Sequence, residues 1–160
     1  MGAEKSDDFE HLRTEALLNG VIGFVVGAAV RRAGRVLVLQ RRADDFLPNC
    51  YEIPGGKVEA GETLLAALER ELLEETGMRL GAVNTYVGAF DYVDEDGRVV
   101  RQFSFEVSSS DADVIAHPEH QAAAWVSLGD LARYPMSPEM AATVRAALDP
   151  SRERQTGDVS

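Results

Sequence analysis

Cysteine is nearly absent: Cys50 is the only one among 160 residues. A lone thiol excludes an intramolecular disulfide and any cysteine-cluster zinc site; its ordinary reading is a small loop or strand residue. Histidine is also scarce, and His11, His117 and His120 are too scattered to propose a histidine metal site. No apolar run approaches the roughly 20 residues of a bilayer-spanning helix, so no membrane partner is expected. Basic residues are in short supply as well. Sixteen Lys and Arg against 27 Asp and Glu leave a net charge of −11 at pH 7, which opposes binding to nucleic acid. The same charge would repel a free polyphosphate, so an anionic substrate should arrive paired with a divalent cation. The first residues (MGAEKSDDFEH) are acidic, unlike a signal peptide, which makes the cytoplasm the expected location.

What is present is ordinary for a globular protein: 45% hydrophobic and 27% charged residues. A chain of this length suits one domain burying about 70% of its unfolded surface. Residues 1–19 read as a polar lead-in with a short helix around Phe9–Leu18, 20–148 as the domain, and 149–160 as a mobile tail with almost no apolar content. Within the domain, β-rich runs at 21–30 and 35–40 are joined through a hairpin signal at 31–34. Tyr51-Glu52-Ile53 is a short strand running into Pro54-Gly55-Gly56. Strands follow at about 80–92 and 98–107 around the turn Asp94-Glu95-Asp96-Gly97, and another at 122–126. Two helices close the domain, at 128–133 and 137–148, the latter opened by Ser137-Pro138. Strands mixed with two or three helices indicate an α/β or α+β layered domain.

The segment from Thr63 to about Thr76 reads as a helix stopped by Gly77. In it Glu71, Glu74 and Glu75 stand at i, i+3 and i+4, within roughly 100° of one another. Like charges so spaced weaken an isolated helix by about 0.2–0.5 kcal/mol per pair. Leu64, Leu65, Leu68 and Leu72 form the adjoining apolar stripe, so the carboxylates border the buried face. Crowded, sheltered carboxylates call for a cation, and oxygen ligands favour Mg²⁺ or Mn²⁺. An isolated Glu pair is usually a solvated face, but the wider pattern argues otherwise here. It runs Gly56, five residues, Glu62, seven residues, Arg70-Glu71-Leu72, one residue, Glu74-Glu75, one residue, Gly77-Met78. This resembles the complete Nudix box of the Nudix hydrolases at every defined position.

The resemblance implies an α/β domain with a mixed β-sheet between helices and a loop–helix–loop catalytic box. It implies metal ligation by the Gly56 carbonyl, Glu71, Glu74 and Glu75, and in some members catalysis by a glutamate of this cluster, usually the one matching Glu71, with Glu74 the other candidate. Arg70 beside the cluster is expected to hold a carboxylate in place or meet phosphate. Glu62, near the helix start, reads as structural; Glu59 is either a surface charge or a further ligand. Glu119, six residues before Trp125, matches the loop where several relatives carry an additional metal-binding or base glutamate, while an isolated loop glutamate is ordinarily exposed. Arg41 and Arg42 close the second strand, and alternation lets only one of them reach the cleft to meet a phosphate. Trp125, Phe46, Tyr51, Tyr92 and Phe105 are each a core residue or a nucleobase platform.

The implied reaction is hydrolysis of a nucleoside diphosphate linked to X. The preferred form takes a nucleoside triphosphate to monophosphate and pyrophosphate; a nucleotide sugar is the alternative, and a non-catalytic nucleotide-binding module the second class. A homodimer stays open. No proline lies about fifteen residues beyond the box, as ADP-ribose-hydrolysing members often have, and Arg41–Ile53 does not resemble the extended motif of coenzyme A-hydrolysing members. Pro138 stands where 8-oxo-dGTP-sanitising members place a base-reading asparagine, and it offers neither side-chain hydrogen bonding nor a backbone donor.

Overall fold

The computed structural model describes residues 9–111, 114 and 119–149. Residues 1–8 of the lead-in, 150–160 of the tail and part of the loop before His120 lie outside the described residues.

Alternation of apolar side chains builds the sheet. Strand β1 (Gly23–Arg32) turns through Ala33-Gly34, both at positive φ (52° and 76°), into β2 (Arg35–Arg41). Two left-handed residues give the turn a twist that matches paired strands. The strands pair only beside this turn and then part. Lower down, β1 pairs antiparallel with β4 (Gly55–Lys57) on one side and parallel with β6 (Val99–Ser108) on the other. Strand β2 instead pairs with β3 (Tyr51–Glu52) and β7 (His120–Val126). The outermost strand, β5 (Ala82–Val93), pairs antiparallel with β6, and its register slips between Val83 and Thr85 and again between Tyr86 and Gly88. The result is the mixed sheet expected from the sequence.

Each face of the sheet carries its own core. On one, Val26, Val30, Leu37, Leu39, Phe103 and Phe105 pack beneath α1 (Glu10–Leu18) and α2 (Leu64–Thr76). On the other, Val36, Val38, Ile53 and Val126 pack against α3 (Pro138–Ala147) and the short 3-10 turn Leu128–Arg133. Neighbours such as Val36 and Leu37 take opposite faces because strand side chains alternate. Helix α1 lies in the segment read as a polar lead-in, yet Leu12 and Ala16 are buried, and Phe9 meets the Phe105 ring edge-on at 4.9 Å.

The box helix forms where its signals place it. Thr63 caps the start by accepting from the Ala66 amide at 3.0 Å, and Gly77 at φ 73° ends it, its amide donating to the Leu73 carbonyl at 2.9 Å. Leu64, Leu68 and Leu72 are wholly buried, each worth about 1.5–3 kcal/mol of transfer free energy. Leu65 is only partly buried at the margin of the stripe.

Candidate active site

The glycine turn and the box helix are pressed together. The Ala28 amide donates to the Pro54 carbonyl at 2.7 Å, and β4 is locked into β1 from Gly55 to Lys57. A Cβ at Gly55 would overlap the Val26 carbonyl, and one at Gly56 would collide with the Glu71 carboxylate. The Gly55 amide donates to Glu75 at 2.9 Å. Bare backbone thus lies directly against the two box carboxylates, an approach only glycine permits.

Two different environments meet along α2. Arg70 donates from Nε to Glu62 (2.7 Å), and from Nη1 to Glu71 (2.7 Å) and Glu74 (3.3 Å). Its Nη2 reaches Glu62 again and the Lys57 carbonyl, both at 2.9 Å. These bonds pull the Glu62 carboxyl down to about 2. Glu59 stays solvated, 68% exposed and 3.9 Å from Arg70. Arg70 and Glu62 thus form a close ion pair.

Glu75 is buried, and that burial pushes its carboxyl up to about 8 despite the Gly55 hydrogen bond; the charges of Glu52, Glu71 and Glu119 add to the shift. Burial likewise raises Glu71, opposed by Arg70 and supported by Glu74 and Glu119. His120, its side chain almost wholly enclosed, points Nε2 at Glu52 (3.1 Å) and Glu75 (3.6 Å). Ligand atoms of Glu52, Glu75 and His120 lie within 4.8 Å of one another.

These groups line one cavity of about 440 Å³, together with Gly55, Gly56, Glu74, Glu119 and Arg41. Glu74 sits at its rim, 54% exposed. The oxygen donors among these groups, the carboxylates and the backbone turn, suit a hard divalent ion such as Mg²⁺ or Mn²⁺, whereas the His120 imidazole is a softer ligand. A cation there would favour the ionised forms that Glu71 and Glu75 otherwise resist, so the residues fit such an ion.

A second cavity of about 270 Å³ adjoins the first through Arg41 and Glu52, and is lined by Phe46, Tyr51, Phe90, Tyr92 and Met140 among others. Of the aromatic candidates, Phe46, Tyr51 and Tyr92 stand here, whereas Phe105 is fully buried. Trp125 packs against the first core, with the Arg32 guanidinium 4.9 Å from its ring centre. Arg41 reaches both cavities, held by Glu52 at 3.0 Å and Asp45 at 3.1 Å; Arg42 turns out to solvent beside Asp44.

Glu52 and His120 were not among the residues expected from the sequence, and His120 is the one histidine that joins the acidic group. A signal for Glu52 existed. Ile53 is buried in the second core, so alternation turns Glu52 the opposite way, just ahead of the glycine turn. For His120 no local signal exists, since its partner Glu52 is 68 residues away.

Comparison with known proteins gives a consistent result. The NUDIX domain family model matches residues 22–147. A CTP pyrophosphohydrolase of Escherichia coli strain K12 is 36% identical over 114 residues, which are 71% of this chain and 82% of that protein. Among solved structures, the E. coli ORF135 protein superposes with a TM-score of 0.66 at 33% identity, covering 82% of this chain and 94% of that one. A MutT NUDIX hydrolase from Burkholderia pseudomallei gives 0.66 at 29% identity, covering 79% and 95%.

Proposed function

The chain belongs to the Nudix hydrolase family, and from that premise we propose that it is a divalent-metal-dependent pyrophosphohydrolase whose preferred substrate is a nucleoside triphosphate, cleaved to monophosphate and pyrophosphate. One observation carries this reading. The acidic cavity against the glycine turn opens beside an aromatic one, with Arg41 at their junction. A nucleotide has the same two-part chemistry, a polyphosphate and a flat ring joined through a sugar.

The Gly56 carbonyl, Glu71, Glu74 and Glu75 would hold Mg²⁺ or Mn²⁺, with Glu52 and His120 bracing Glu75 from the other side. Such an ion would supply charge to neutralise the polyphosphate and to make an attacking water more acidic. Glu71, oriented by Arg70, would take the proton from the attacking water, and Glu119 would assist from the rim. Arg41 meets a phosphate with its guanidinium already aimed by Glu52 and Asp45. Phe46, Tyr51 and Tyr92 offer ring faces and edges to the base. The catalytic domain is residues 20–148, working in the cytoplasm.

The E. coli relative is a CTP pyrophosphohydrolase, so cytosine nucleotides head the test panel. Purified protein with Mg²⁺ is to be incubated with ribo- and deoxynucleoside triphosphates and nucleotide sugars, and the products separated by ion exchange. Monophosphate plus pyrophosphate, abolished by chelator, is the expected result. Preferential cleavage of a nucleotide sugar would select the alternative substrate, and no cleavage of any compound would leave a nucleotide-binding module.

A further inference from the structure

Helix α1 precedes the segment that the family model matches, yet two of its side chains grip the start of the box helix. Glu10 accepts from the Leu64 amide at 2.8 Å, through Oε2. Arg13 donates from Nη2 to the Glu62 carbonyl at 2.6 Å. The two hold each other at 3.2 Å, and the Arg13 guanidinium stands 5.7 Å from the centre of the Phe24 ring. Thr63, between the two gripped residues, already serves Ala66, so Glu10 satisfies an amide that the local cap leaves over. A carboxylate there also meets the positive end of the helix dipole.

We propose that Glu10 and Arg13 are positioning residues for the hydrolytic site, acting through Glu62 and Arg70 on Glu71. The chain of contacts is continuous. Arg13 fixes the backbone of Glu62, whose carboxylate takes two hydrogen bonds from Arg70. Arg70 in turn holds Glu71 at 2.7 Å, and Glu71 lies against Gly56, where the collision of any Cβ shows how little room it has. A shift at residues 62–64 would swing the guanidinium and change the direction of the carboxylate. Helix α1 is itself rigidly seated by Leu12, Ala16 and the Phe9–Phe105 contact. It therefore serves as a fixed brace for the first turn of α2.

This inference rests on the hydrolase reading, and the experiment separates the two. Wild type, Glu10→Ala/Arg13→Ala and Glu10→Gln are compared in the full chain at a temperature well below their melting points, with folding checked by circular dichroism. The double variant should lose about tenfold in kcat at saturating substrate, with KM within twofold. Glu10→Gln keeps the acceptor for the Leu64 amide and should retain at least half of kcat. The dissociation constant for Mn²⁺, read from the electron paramagnetic resonance signal of the free ion, should rise about threefold or more in the double variant. A strut that only stabilises the fold would lower the melting temperature and leave kcat and the Mn²⁺ constant unchanged, and that result overturns the proposal. Wild type inactive on every nucleotide would defeat the hydrolase reading instead, and the Mn²⁺ constant alone would then decide whether α1 positions the acidic site.

Discussion

Glu62, Glu71 and Glu74 converge on a guanidinium, whereas Glu75, the neighbour of Glu74 on α2, converges on other carboxylates and an imidazole. The three share one positive partner, and Glu62, which takes two of its hydrogen bonds, is far more acidic than an ordinary glutamate. Buried Glu75 resists ionisation. A count of acidic residues does not distinguish them; what does is whether the fold supplies a positive partner. Pairing with Arg70 makes a scaffold residue of Glu62, and the unbalanced carboxylates around Glu75 are suited to an arriving cation. Glu71 belongs to both, held by Arg70 at one oxygen while facing the cavity.

The strongest way to break this comparison is to remove charge from its unbalanced side. Glu71→Gln and Glu75→Gln keep size and should each lower kcat by at least about a hundredfold. Steady-state turnover near the wild-type value in both variants would remove them from the chemistry. Next in size is the response to metal. Mg²⁺ binding the native state alone contributes about 2.7 kcal/mol at a hundredfold excess over Kd. Tm should therefore rise with millimolar Mg²⁺ beyond what NaCl of equal ionic strength produces, and rise less in Glu71→Gln/Glu75→Gln. Equal responses to the two salts would mean that no specific site forms.

The metal-free protein allows a sharper test through pH. Glu75 is raised in the fold from an ordinary 4.5 to about 8, so the folded state favours its protonated form. That contribution is fully present below about pH 4.5 and is lost as pH rises through about 8. Tm should therefore fall between pH 6.5 and 8.5, and fall less in Glu75→Gln. A wild-type Tm independent of pH there would show that the neighbours of Glu75 impose no such burden. Glu119→Gln, at the rim, should reduce kcat by about tenfold or less. The smallest effect expected is that of Arg42→Ala, with kcat and KM within twofold of wild type, while Arg41→Ala raises KM more.

The box itself was legible because helical spacing, a leucine stripe and a terminal glycine all agree within one continuous segment. Both helix caps, Thr63 at the start and Gly77 at the end, are local features, and so is Ser137 ahead of Pro138. Alternation at the end of β2 sends Arg41 and Arg42 different ways, Arg41 to the two cavities and Arg42 to solvent, and β2 slips in register against β7 between Gln40 and Arg41. Helical arc alone could not separate Glu74 from Glu75, since the difference arises from what lies across from each. Glu52 and His120 belong to strands that pair separately with β2, and their meeting is a property of the folded sheet. The grip of α1 on α2 spans 49 and 54 residues and leaves no periodic trace.

The two slips in β5 bear on how the protein behaves at high concentration. A twelve-residue outer strand is long enough to recruit a matching strand from another molecule. Such recruitment needs an unbroken row of amides and carbonyls in one plane. In β5 the row is interrupted near Asn84 and again near Val87, where Gly88 takes φ 122°. Each irregularity adds twist and turns backbone groups out of line. Interruptions of this kind make the open margin a poorer template for edge-to-edge pairing with another strand.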